Sequence, residues 1–235
     1  MIEIAPDAAG LAGRAATRIV ATARHAIADR GRCVMFLSGG TTPRATYARL
    51  ADPELAGHVD WSRVHLAFGD ERCVPHSDPR NNFRMVREVL TSRIAIPDAN
   101  VHPIPVDRPP EAAALAYERT LRSLLGREQP DLILLGLGED GHTASLFPGH
   151  AAVRERVRWV VAADVPEQVM WRVTVTPPLI NAAREVVFLV SGAAKAEVLR
   201  SVLAPPRDPD SLPAQAIHPI SGRLDWLVDE AASGG

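Results

Sequence analysis

Three clusters of residues have the types and spacing to do chemistry. Asp140-Gly141-His142 sets a carboxylate two residues before an imidazole, across a glycine. At that spacing the carboxylate can hold the ring in one tautomer and stabilise its protonated form, as a general base requires. Ser38-Gly39-Gly40-Thr41-Thr42-Pro43 combines two glycines, which let backbone N–H groups approach a ligand, with hydroxyls and a helix start whose positive end faces the loop. This is an anion cradle, most naturally for a phosphate. Asp70-Glu71-Arg72 adds two carboxylates and a guanidinium. Plainer readings stand beside each: a surface histidine, a well-capped strand-to-helix turn and a surface ion pair. All but one of the 26 Lys and Arg residues are arginine, the exception being Lys195. A lysine at a helix start opposes the dipole, so a role as a point charge for a phosphate is favoured there. Arg172 is a second candidate for the same anion.

Several familiar chemistries lack their signatures. No Gly-Lys-Ser/Thr follows the Ser38 loop, which excludes a Walker A nucleotide site. Gly136-Leu137-Gly138-Glu139-Asp140-Gly141 fits GxGxxG after an apolar run, but Pro148-Gly149 cuts off any long helix behind it. Asp140 and His142 also put titratable groups where a pyrophosphate needs bare backbone, so the match is a decoy. GxSxG is absent around Ser38 and Ser145, HExxH is absent, and Cys33 and Cys73 stand alone. No metal and no cofactor is expected. Of the other histidines, His25, His58 and His76 read as surface residues and His65 as a structural residue inside a strand.

These clusters need a frame that brings them together. Ile2–Ile4, Cys33–Leu37, Val64–Phe68, Leu132–Leu135, Val160–Ala163, Val173–Thr176 and Val186–Val190 read as strands, most of them continuous apolar runs rather than alternating ones. Such runs suit a parallel sheet covered on both faces. Helices are expected from the Asp7 cap through Ile27, from a Thr42 cap with Pro43 at the first position, and over Asn82–Leu90, Pro110–Leu125, Gly192–Leu203 and Leu224–Ala232. The polar clusters then fall at the carboxyl ends of strands, where open α/β sheets bind ligands. The expected fold is α/β: a Rossmann-like three-layer arrangement with a mostly parallel sheet flanked by helices, as one domain over 1–235.

Composition narrows the class. A hydrophobic share of 46% with 23% charged residues fits a globular chain, and a net charge of −2 offers no basic field for nucleic acid. The apolar runs fall short of a membrane span, and Met1–Ile4 does not open a signal peptide. No nucleic acid and no membrane is expected, and the chain is expected to be cytoplasmic.

Taken together, the segments resemble the 6-phosphogluconolactonases, in the wider family that includes the glucosamine-6-phosphate deaminases. Leu37-Ser38-Gly39-Gly40-Thr41-Thr42-Pro43, Gly69-Asp70-Glu71-Arg72 and Asp131–Gly149 (DLILLGLGEDGHTASLFPG) carry the resemblance. Arg172-Val173-Thr174, Ile180-Asn181, Gly192–Ala196 and Trp226 extend it over nearly the whole chain. The resemblance implies a cytosolic, monomeric hydrolase that opens 6-phospho-D-glucono-1,5-lactone without metal or nucleotide, in the oxidative pentose phosphate pathway. Gly39, Gly40, Thr41, Thr42, Lys195 and Arg172 would grip the phosphate. His142 would activate water, oriented by Asp140. Arg72, or backbone N–H groups of the Gly138–Gly141 loop, would face the oxyanion, with Asp70 in the same catalytic set. Thr41 stands where serine is commoner, and Asn81-Asn82 where Ser-Asn is usual. Phe147 stands where the deaminases carry a carboxylate that assists ring opening. Two alternatives stay open: an amino-sugar-phosphate isomerase/deaminase with Asp70 as proton shuttle, and a non-catalytic sugar-phosphate-binding module.

Overall fold

In a computed structural model, which describes residues 1–165 and 170–234, parallel pairing organises the chain around one large sheet. In chain order the first half carries β1 (Ile2–Ala5), α1 (Ala8–Arg30), β2 (Cys33–Leu37), α2 (Thr41–Leu50), α3 (Pro53–Ala56), β3 (Val64–Phe68), β4 (Asp70–Arg72), α4 (Asn82–Val86) and β5 (Val101–His102). The second half carries α5 (Pro110–Leu125), β6 (Leu132–Leu135), β7 (Val160–Val165), β8 (Met170–Val175), α6 (Pro177–Ile180), β9 (Glu185–Val190), α7 (Ala196–Leu203), β10 (Arg223–Asp229) and α8 (Glu230–Ser233). Seven strands pair in the order β1-β10-β9-β6-β2-β3-β5, every pair parallel, and helices flank them. β2, β6 and β9 are buried along their whole length, which is why each reads as an unbroken apolar run.

Helix α1 shows how local chemistry sets the frame. The Asp7 carboxylate accepts the Gly10 N–H at 2.7 Å, and Gly31, at φ 76°, ends the helix by donating to the Ile27 carbonyl. Between these caps Leu11, Ala15, Ile19 and Ala23 are buried in the core, with Ile27 packed against it. α1 packs on α2 and against β1, β2 and β10, while α5 packs against β7 and β8.

The chain leaves β2 toward β3 and β5 on one side, then continues from β6 through β9 to β10 on the other. The sheet order therefore reverses between β2 and β6. At such a point the loops leaving neighbouring strands diverge and open a crevice. The Ser38 and Gly136 loops leave those two strands.

Four expectations need correction. Leu224–Ala232 is strand β10 followed by the short helix α8, because a run buried on both faces between β1 and β9 is indistinguishable by periodicity from a buried helix. Val160–Ala163 and Val173–Thr176 do not join the parallel sheet. They lie in β7 and β8, which pair antiparallel with each other and with β4 in a separate three-stranded sheet. Only residues 166–169 separate β7 from β8, too few for the crossover that a parallel pair needs. Helix α2 starts at Thr41 rather than after a Thr42 cap, with Gly40 at φ 107° in the cap position. The expected Gly192–Leu203 helix is a short turn over Ala193–Lys195 leading into α7. No helix of the described residues is long and apolar enough to cross a membrane.

Candidate active site

Loops at the carboxyl ends of β2, β6 and β9, with side chains from β4 and β8, enclose a cleft of about 330 Å³. Gly39, Gly40, Thr41, Thr42, Asp70, Arg72, His142, Arg172 and Lys195 all line it, brought together from five stretches of sequence. Asp140 does not reach the cleft; it stands behind His142.

The Asp140–His142 pair is built by the turn that carries it. Asp140 Oδ1 lies 2.5 Å from His142 Nδ1 and also accepts the His142 backbone N–H at 3.1 Å. The first contact occupies Nδ1 and leaves Nε2 as the ring nitrogen for a reactant. Gly138 is required here, because a Cβ at that position would fall 2.0 Å from His142 Nδ1 and 2.5 Å from Asp140 Oδ1. The Gly138 N–H donates to the His142 carbonyl at 2.8 Å and the Gly141 N–H to the Gly138 carbonyl at 3.1 Å. Burial raises the Asp140 pKa, but the hydrogen bond and charge of His142 outweigh it and hold the carboxyl below its ordinary range. No helix opens behind this turn, as the decoy reading of its glycines requires. Two residues on, Ala144 takes a left-handed conformation at φ 49°. That costs an alanine about 1–2 kcal/mol.

The opposite wall is the glycine-threonine loop. Tyr47, fully buried on α2, accepts the Ser38 N–H at 2.9 Å and donates to the Ser38 carbonyl at 3.0 Å, clamping the end of β2. Tyr117 does the same at the end of β3, accepting the Phe68 N–H at 2.7 Å and donating to its carbonyl at 3.1 Å. Gly39 has no room for a side chain, since a Cβ would fall 1.9 Å from Asn82 Oδ1. The loop thus presents backbone and hydroxyls at the N-terminus of the ten-residue helix α2. Lys195 Nζ sits 3.6 Å from the exposed Glu139 carboxylate, a counter-ion that an incoming anion can displace. The buried Ser38 hydroxyl has no hydrogen-bond partner among the described residues.

At the base of the cleft a polar network joins four segments. Asp70, 5% exposed, accepts the Ser145 hydroxyl at 2.6 Å, the Asn82 amide at 3.3 Å and Arg172 Nη1 at 3.5 Å. Its carboxylate is the counter-ion of Arg172. Burial lowers the Arg172 pKa while the Asp70 charge raises it, leaving the guanidinium below its ordinary value. Glu71 turns away from the cleft: Oε1 accepts the Arg72 and Asn82 N–H groups at 2.9 and 2.8 Å, and Oε2 accepts the Phe83 N–H at 2.9 Å. Burial pushes this carboxyl up to about 7 despite those donors. Arg72 donates through Nη1 to the Arg80 carbonyl and to Asn82 Oδ1 at 3.0 and 2.7 Å, and it too lines the cleft.

The sequence reading missed Ser145, Asn82 and Tyr47 as parts of the site. Asn82 had a signal, as a polar side chain just inside a helix start. Ser145 and Tyr47 had none, because their partners lie across the fold or on the backbone. Of the histidines read as bystanders, His65 stacks on His102 at 5.4 Å between ring centroids. Among the described residues no three His, Cys, Asp or Glu side chains are grouped to hold a metal ion.

Known proteins resemble this chain in sequence and fold. The family described as glucosamine-6-phosphate isomerases/6-phosphogluconolactonase matches residues 6–226. A 6-phosphogluconolactonase of Synechocystis sp. is 42% identical over 225 residues, covering 93% of this chain and 91% of its own. One of Nostoc sp. is 38% identical over 237 residues, covering 98% and 96%. The solved structure of 6-phosphogluconolactonase from Trypanosoma brucei superposes with a TM-score of 0.86 at 29% identity, covering 100% of this chain and 97% of that one.

Proposed function

Because the chain belongs to the glucosamine-6-phosphate isomerase/6-phosphogluconolactonase family, we propose that its cleft hydrolyses 6-phospho-D-glucono-1,5-lactone to 6-phospho-D-gluconate through a water activated by His142. One observation carries this reading: the 2.5 Å Asp140–His142 contact stands at a cleft whose facing wall is the glycine-threonine loop. A phosphate anchored on Gly39, Gly40, Thr41 and Thr42, with Lys195 and Arg172 as counter-charges, sets the lactone carbonyl before the imidazole.

Nε2 takes a proton from water as the water oxygen bonds to C1, and Asp140 holds the ring through Nδ1 and stabilises the imidazolium. The carbonyl oxygen becomes an oxyanion. The Gly138 and Gly141 N–H groups are spent inside their own turn, so Arg72 is the better donor to that charge. The tetrahedral intermediate collapses by breaking the bond from C1 to the ring oxygen, which takes its proton from the imidazolium. The acid formed at C1 then ionises. A general base contributes roughly 10²–10⁴-fold and one oxyanion donor about 10²–10³-fold, enough for an activated ester without a covalent intermediate.

The pairing of Asp70 with Arg172 and the Ser145 hydroxyl weighs against its serving as the proton shuttle of the sister deaminase chemistry. Phe147, packed on His142, supplies no carboxylate for that chemistry.

The test generates the lactone in situ from glucose 6-phosphate and its dehydrogenase, and follows ring opening with and without the protein. Acceleration by the wild type is expected, with kcat down about 10²–10⁴-fold in His142→Ala. A His142→Ala variant that keeps more than about a tenth of kcat contradicts the base assignment. Ammonia release from glucosamine 6-phosphate would decide for the sister activity.

A further inference from the structure

Phe147 is buried at 9% exposure, yet it lies outside the contiguous hydrophobic core that takes in its neighbour Leu146. Its ring centroid sits 4.4 Å from that of His142, with the two planes 30° apart. The Arg172 guanidinium carbon stands 5.5 Å from the centroid of the same phenyl ring. A side chain placed only to fill the core would touch aliphatic groups. This one lies against two polar groups that line the cleft, the His142 imidazole and the Arg172 guanidinium.

The Asp140 contact fixes His142 at a single atom, Nδ1. A ring held at one edge can still swing about that hydrogen bond, and the swing carries Nε2 through an arc. A flat apolar surface against the ring face removes this freedom, and a tilted aromatic pair at this separation is a favourable geometry. We propose that Phe147 is a positioning residue for the hydrolysis, its ring setting the plane of the His142 imidazole so that Nε2 is aimed into the cleft. The inference rests on His142 being the base, and it adds the second of two restraints on that base: an edge contact from Asp140 and a face contact from Phe147. Misdirecting a base by about 1 Å costs on the order of 10²-fold in rate, so loss of the face contact is expected to act on kcat and to spare phosphate binding.

The test compares Phe147→Leu and Phe147→Tyr with the wild type in the full-length chain, with folding checked by circular dichroism. Leucine keeps apolar bulk without a planar face, and tyrosine keeps the face. Phe147→Leu should lose about 10-fold or more in kcat with KM for the lactone within about 3-fold, while Phe147→Tyr restores kcat to within about 3-fold. Should Phe147→Leu fail to fold, the same comparison is made with Phe147→Met. Imidazole ¹⁵N and ¹H spectra give a readout independent of turnover. In the wild type the His142 ring protons should be sharp and shifted by the phenyl ring current, and in Phe147→Leu broadened by motion of the ring, while the Nδ1-protonated tautomer held by Asp140 persists. A kcat within 2-fold of wild type in Phe147→Leu overturns the proposal, as does a loss carried by KM or His142 ring protons as sharp as in the wild type. An active His142→Ala would instead remove the base assignment itself, whatever the Phe147 variants do.

Discussion

Replacing Gly138 with alanine tests the catalytic turn with one methyl group. Gly138 does not adopt a left-handed conformation, so its backbone accepts alanine and the effect comes from the added carbon alone. That carbon would fall 2.0 Å from His142 Nδ1, 2.3 Å from Cε1 and 2.5 Å from Asp140 Oδ1. Ordinary contact needs about 3.5–4 Å, so the imidazole or the carboxylate must retreat by more than an ångström. Either retreat breaks the Nδ1–Oδ1 hydrogen bond and misaims Nε2. A displacement of that size costs about 10²-fold in kcat, which corresponds to about 2.7 kcal/mol of transition-state stabilisation. The phosphate cradle lies on the other wall, so KM should stay within a few-fold. The assay is the coupled lactone measurement, with kcat and KM separated over a substrate series. A Gly138→Ala protein with kcat within 3-fold of wild type would refute the reasoning, because the ring would then tolerate a shift that the general-base role forbids.

Other perturbations separate the remaining parts of the site. Lys195→Ala removes a charged hydrogen bond to phosphate, worth roughly 1.5–3 kcal/mol, so KM should rise about 10–100-fold with kcat little changed; an unchanged KM takes Lys195 out of the phosphate site. Tyr47→Phe leaves the buried Ser38 N–H and carbonyl without their partner, and should cost about 1–3 kcal/mol by denaturant unfolding and raise KM as the cradle loosens. Glu71 titrates near 7 in the folded protein, against an ordinary 4.5. The native state therefore holds more protons than the unfolded chain between those values, and stability falls as pH rises through that window. Urea midpoints measured from pH 5 to 7.5 should show this decline in the wild type and a flatter slope in Glu71→Gln. Equal slopes would mean that the Glu71 carboxyl is not raised.

Much of the site was legible because glycines and polar residues punctuate apolar runs. Ser38–Pro43, Asp70–Arg72 and Gly136–His142 each break a strand, and strand ends are where such sheets place ligands. The strand reading failed where sequence has no handle. In Leu224–Ala232 the acids Asp225, Asp229 and Glu230 fall among apolar residues with no clear period of two or of 3.6. β7 and β8 are too close in sequence for a crossover, and that connection length was the clue that distinguished them. The supports of the site were hidden for another reason. Ser145 reaches Asp70 across 75 residues, and Tyr47 holds backbone rather than a side chain. Phe147 was marked in sequence only by the carboxylate it replaces, and its contacts with His142 and Arg172 came from the structure.

The position of Lys195 makes the cleft chemically addressable. It carries the protein's single side-chain amine, and the α-amine of Met1 is tied to the Asp225 carboxylate at 3.1 Å. Amine-selective reagents therefore meet one side-chain target, alongside the exposed α-amine of Met1. Acetylation would erase the cation and reductive methylation would keep it, so the two treatments weigh charge against hydrogen bonding at one atom without mutagenesis. The same fact warns against amine coupling to sensor chips or resins, which can tether the protein by a group that lines the cleft.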